Sequence, residues 1–225
     1  MKKMFPVFAL GALMMFVASC EKDTEFENKE EPGTENTDTF LVEAVDLGLS
    51  VKWASCNVGA DSPEDSGSYY AWGEIEEKSD YCWGNYEYYL GDLDGDMRVE
   101  CVDLGSDISG TLYDVAHVKW CDGWRIPSKL EIEELFNRCK WEWSLVNGIY
   151  GQKVIGPNGN SIFLPATGYR DEDGLKSYGS FCYYWSSSRD EFSVGSAYYF
   201  YYGRTQSNIV ATDRKCGHAI RPVKD

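Results

Sequence analysis

The chain has 225 residues, enough for one domain with appendages and a sizeable core, and its 43% hydrophobic and 26% charged residues suit a folded protein. Its net charge is −16, from 21 Lys and Arg against 37 Asp and Glu. A surface that acidic repels phosphate backbones, and with no basic patch to offset it nucleic acid is not an expected partner.

Lys2 and Lys3 precede a short apolar run from Met4 to Ala18, the pattern of a signal peptide over residues 1–19 and too short for a membrane span. The run closes on Val17-Ala18-Ser19-Cys20, which resembles a bacterial lipobox. The expectation is cleavage before Cys20, acylation of that cysteine and a membrane partner held through the lipid; the alternative is a plain secretory signal. Residues 20–40 are acidic and almost free of large apolar side chains, so they read as a disordered tether. An acidic run after a lipidated cysteine is similar to surface-export tethers of Bacteroidetes lipoproteins. Outer-membrane attachment, with the domain facing outward, is therefore expected, against a solvated linker with no sorting role.

The folded domain is expected over residues 41–225. Residues 41–60 alternate apolar and polar around Val45, Leu47, Leu49, Val51 and Trp53, which predicts a strand, a turn at Gly48 and a second strand. An aromatic, loop-rich stretch follows. Within it, Asp92, Asp94, Asp96, Glu100 and Asp103 stand at positions 1, 3, 5, 9 and 12 of a calcium-loop pattern, with Val99 at the apolar eighth place. Met97 occupies the sixth place, where glycine makes the turn, and no exiting helix reads after Asp103; the plainer alternative is an acidic surface loop. Calcium is the one cofactor the residues suggest.

Tyr113–Lys119 reads as a short helix with Val115 and Val118 inward. A clearer helix follows Pro127: Ser128 is an N-cap, Glu131 completes a capping box, and Ile132, Leu135, Phe136 and Cys139 form one apolar stripe. Gly156-Pro157-Asn158-Gly159 then joins strands at 151–155 and 161–165. Further strands are expected at 183–187, 197–202 and 218–223. The tally is an α+β fold of short antiparallel strands, one or two helices and long loops.

Reactive equipment is sparse. His117 and His218 are the two histidines, each read as structural, and no nucleophile elbow, HExxH or phosphate loop is present. Of eight cysteines, seven remain once Cys20 is set aside, and none forms a C-x-x-C pair. The runs Tyr183-Tyr184-Trp185 and Tyr198-Tyr199-Phe200-Tyr201-Tyr202 must, as strands, send alternate rings to opposite faces. About half of those rings then meet water or a partner, and Tyr rings stack on sugars and anchor protein contacts.

The runs VDLGLSVKWASCNVGA, SYYAWGE, DISGTLYDVAHVKW, GWRIPSKLEIEELF, GPNGNSIFLPATGYR, YYWSSS and AIRPV, in this order over roughly 43–223, resemble the Fibrobacter succinogenes major paralogous domain. The resemblance implies a C-type-lectin-like fold on secreted or surface lipoproteins, and Cys56 and Cys139 as a disulfide pair. Cys121 departs from it, standing where that family more often shows glycine. The segment from Trp124 is also similar to formylglycine-generating enzymes of that fold, for which Cys182 and Cys216 are the candidate pair. The functional expectation is a non-catalytic module binding glycan or protein; the alternatives are such an oxidase and a structural or fimbria-associated subunit.

Overall fold

Asp46 accepts from the Gly48 amide at 2.7 Å, closing a turn between β1 (Ala44–Val45) and β2 (Lys52–Ala54), which pair antiparallel as the alternation predicts. The computed structural model describes residues 42–91 and 99–225. The expected leader at 1–19, Cys20 and the tether at 20–40 lie outside the described residues, as do Asp92, Asp94 and Asp96.

After a short 3₁₀ turn at Trp83–Asn85, β3 (Tyr89–Gly91) pairs with β4 (Glu100–Cys101). Helix α1 (Val115–Trp120) starts on Asp114, whose side chain accepts from the Ala116 and His117 amides. Val115 and Ala116 are buried, and Trp120 packs beside them, but Val118 is 39% exposed. At 100° per residue Val118 falls nearly opposite Ala116 and Trp120, so the inward assignment of Val118 is corrected. Helix α2 (Lys129–Arg138) carries the full Ser128–Glu131 capping box. The same Glu131 takes a two-pronged bond from Arg125 at 2.9 and 2.6 Å, tying the extended residues before the helix to its first turn. Ile132 and Leu135 are fully buried, each worth roughly 1.5–3 kcal/mol of removed apolar surface.

Strands β5 (Lys140–Val146), β6 (Ile149–Ile155) and β7 (Ser161–Pro165) form one antiparallel sheet. The expected 156–159 hairpin joins β6 to β7. A second tight turn, Asn147-Gly148 with φ of 47° and 85°, joins β5 to β6. The hairpin β8 (Tyr169–Asp171) and β9 (Gly174–Lys176) follows, then the sheet β10 (Phe181–Arg189), β11 (Ser196–Gly203) and β12 (Ser207–Asp213), in that order. The chain ends on β13 (Val223–Lys224), which returns to pair with β2.

The α+β, C-type-lectin-like expectation is overturned. Thirteen short strands in five small antiparallel sheets, with α2 the one helix longer than two turns, make the described residues predominantly β. Stretches with no strand expectation also pair as strands, among them β5 and β12, because each is joined by a short turn to a neighbour, β6 and β11 respectively, that holds it in register. Helix α1 stops after six residues, since Cys121, Asp122 and Gly123 all take positive φ.

The sheet β10–β11–β12 lies between two buried clusters. Cys182, Tyr184 and Phe200 face one, shared with α2 and β6–β7; Trp185 and Ala197 face the other, shared with Tyr70, Trp72 and α1. Strand alternation produces this split.

Candidate functional site: a tyrosine-lined cleft

On the second face of β10–β11 the rings become less covered along the strands. Trp185 is fully buried, whereas Tyr183, Tyr199, Tyr201 and Phe181 are only half-buried. Their order follows from the register, in which Tyr183 pairs with Tyr201 and Trp185 with Tyr199. Tyr183 stacks on Tyr199 at 5.8 Å and 12°, and Tyr169 from β8 leans on Tyr183 at 4.9 Å.

Beneath these rings lies His218. Its segment is pinned on both sides: Tyr70 and His218 exchange backbone bonds of 3.0 and 3.1 Å, Gly217 and Arg170 exchange bonds of 2.8 Å, and the Trp185 amide donates to the Ala219 carbonyl at 3.1 Å. The imidazole is held 4.2 Å from Trp185 and 4.7 Å from Tyr199. Neither ring nitrogen has a hydrogen-bond partner among the described residues. Burial pulls its pKa down to about 3, so the ring is neutral at physiological pH.

Rings and imidazole line a cleft of about 260 Å³, rimmed by Asp171, Glu172 and Asp173 of the β8–β9 turn and by Asp213 and Lys215. Lys215 pairs with Glu172 at 3.2 Å. Burial pushes the Asp213 carboxyl above its ordinary range, and that carboxylate makes no hydrogen bond or ion pair among the described residues. The Tyr169, Tyr183 and Tyr199 hydroxyls are raised by burial and stay protonated. A larger hollow of about 400 Å³ beside β1, lined by Glu43, Val45, Lys153 and Phe163, contains no buried polar atom without a partner. The smaller cleft is therefore the stronger candidate.

A family model described as a domain of unknown function (DUF8237) matches residues 75–223. The chain belongs to this family. The matched span contains every residue of the cleft and ends on β13, while the β1–β2 hairpin precedes it. No curated protein and no solved structure matches the chain.

The other singled-out residues fall elsewhere. Cys182 is fully buried, donates to the Leu164 carbonyl at 3.2 Å and is pushed up to about 12 by burial. Cys216 borders the tyrosine cleft, in the other cluster, and burial and then Asp213 push it up to about 11. The two thus lie in different buried clusters. Cys56, Cys82, Cys101, Cys139, Cys182 and Cys216 are free thiols, so the Cys56–Cys139 disulfide implied by the resemblance is absent. Cys139 instead packs against the α2 cluster, and Cys56 is buried near Arg221. His117 is exposed on α1.

Of the calcium-loop residues, Glu100 lies in β4 opposite Gly91, and Asp103 binds Arg189 at 3.1 Å and the Gly105 amide at 2.9 Å. The next helix after Asp103 is α1, which begins at Val115, so no exiting helix follows the loop. Among the described residues no group of three or more His, Cys, Asp or Glu could hold a metal.

Tyr169, Thr212, Asp213 and Cys216 join the cleft without any motif having marked them as one site. Alternation in β10 and β11 was the only signal pointing there.

Proposed function

We propose that the chain is an exported, lipid-anchored envelope protein whose folded domain is a non-catalytic binding module, with its glycan or protein ligand received in the tyrosine cleft. The observation that carries the reading is His218. A neutral imidazole, buried without a partner at the wall of a ring-lined cleft, leaves a donor and an acceptor for a ligand to satisfy.

The charge states of the neighbouring groups support binding over turnover. Cys216 stays a thiol at neutral pH, and an imidazole with a pKa near 3 neither takes nor gives a proton there. The anchor rests on the Val17–Cys20 motif and its basic and apolar leader. The resemblance of residues 43–223 to a domain carried by surface lipoproteins supports the same location.

Two measurements test the reading. Mass spectrometry of the native protein should find a diacylated N-terminal Cys20; an uncleaved leader would remove the anchor. Glycan and peptide arrays probed with the full chain should return a ligand. The double variant Tyr169→Ala, Tyr183→Ala should weaken it by about tenfold to a hundredfold, the worth of two stacking rings. Undiminished binding by that variant, or turnover of a substrate, defeats the module reading.

A further inference from the structure

The sheet β10–β11–β12 ends on β12, which has no strand partner on its outer side among the described residues. Ser207–Asp213 (SNIVATD) contains none of the Lys, Arg or Pro residues that commonly blunt an edge strand. Ile209, Val210 and Thr212 favour extended pairing. The strand runs directly into the cleft, because Thr212 and Asp213 are part of its lining.

Charge at that end of the strand is one-sided. Asp171, Glu172, Asp173 and Asp213 surround the rings; Lys215, the one cation of the lining, is engaged by Glu172, and Asp173 pairs with Lys176 at 3.5 Å, which leaves Asp171 and Asp213 without an ion pair among the described residues. Asp213 is half-buried with no hydrogen-bond partner for its carboxylate among the described residues, and the tyrosine faces attract cations. The neutral His218 adds an unused acceptor nitrogen.

We infer that this edge and cleft together receive an extended, basic polypeptide segment, its backbone adding as a fourth strand on β12 and a Lys or Arg side chain entering between the tyrosines toward Asp213. The inference rests on the binding-module reading and names the class of its ligand. Alternate side chains of an added strand face the cleft side, so one basic residue in every two suits the geometry. A second copy of this chain fits poorly, because two bodies of net charge −16 repel, whereas a basic segment is drawn in.

The test uses the full chain in mild detergent and a labelled heptapeptide alternating lysine and threonine, followed by fluorescence anisotropy. Binding is expected, weakened about tenfold or more by Asp213→Lys. On the unaltered protein, methylating alternate backbone nitrogens of the peptide should weaken it comparably in one of the two registers, since each removes strand donors. Hydrogen exchange at the β12 amides should slow when the peptide is bound. Equal binding of both methylated peptides would show mere charge attraction and overturn the inference, as would no binding at millimolar peptide. A neutral oligosaccharide that binds and is lost in the Tyr169, Tyr183 double variant would overturn the peptide assignment while leaving the module reading intact.

Discussion

Arg221 is fully buried and faces no carboxylate. Its guanidinium donates to Asn57 Oδ1 at 2.7 Å, the Ala54 carbonyl at 3.0 Å and the Phe163 carbonyl at 2.9 Å, linking β2, β7 and the C-terminal segment through neutral acceptors. A lysine there has one nitrogen for three diverging acceptors and carries a more strongly hydrated charge. Arg221→Lys should therefore lower stability by about 2–4 kcal/mol in urea unfolding; a loss under about 1 kcal/mol would mean the three acceptors find other donors. Cys121 presents the opposite case. With φ 51° and ψ −150° it holds a backbone conformation that suits glycine and strains a side chain. Cys121→Gly should raise stability by about 1 kcal/mol, read as an upward shift of the melting temperature.

At the scale of elements, the β6–β7 turn shows how a local signal serves a distant contact. Asn158 and Asn160 each donate a side-chain N–H to the Asp46 carbonyl, at 2.9 and 2.8 Å, locking that turn onto the β1–β2 hairpin. Gly156 permits the approach, since a Cβ there would stand 2.0 Å from the Leu47 carbonyl oxygen. Gly156→Ala must push the hairpins apart and should cost about 2–4 kcal/mol. Gly159 has open space around it and a φ of 89°, so Gly159→Ala should cost only about 1 kcal/mol for its backbone. Equal losses in thermal unfolding would refute the close-approach argument. The Arg125–Glu131 clamp works similarly, letting one carboxylate cap α2 and hold the preceding extended segment.

At the scale of the whole molecule, β10–β11–β12 stands between two clusters, and the uncovered end of its second face becomes the cleft. His218 couples that arrangement to pH. Its folded pKa, near 3, lies below the ordinary 6.5, so the unfolded chain binds a proton that the native protein refuses. Stability contributed by the neutral ring is complete above about pH 6.5 and is lost as pH falls toward 3, by at most about 1.4 kcal/mol per pH unit. His218→Gln should flatten unfolding free energy against pH in that window relative to the parent. Superimposable slopes would show that the imidazole is solvated.

Local interactions made part of this protein legible from its residues alone. The Ser128–Glu131 box, the 156–159 hairpin and the strand–turn–strand after residue 41 involve partners a few positions apart, so spacing and turn chemistry suffice to specify them. Alternation also announced that half the rings of β10 and β11 would leave the core. Which half, and how far, depended on what covers each face. Residues 70 and 169, far from 218 in sequence, both meet it in the fold, and only their packing decides that Trp185 is core while Tyr183 lines a cleft. Long-range pairing is a different matter: β13 returns to β2, and the bridges Tyr70–His218 and Arg170–Gly217 join segments that no local pattern links. Burial decided the charge states too: the thiol at position 216 stays protonated and the imidazole at position 218 stays neutral because the surrounding sheets exclude water, a property of the assembled core rather than of any short run of sequence.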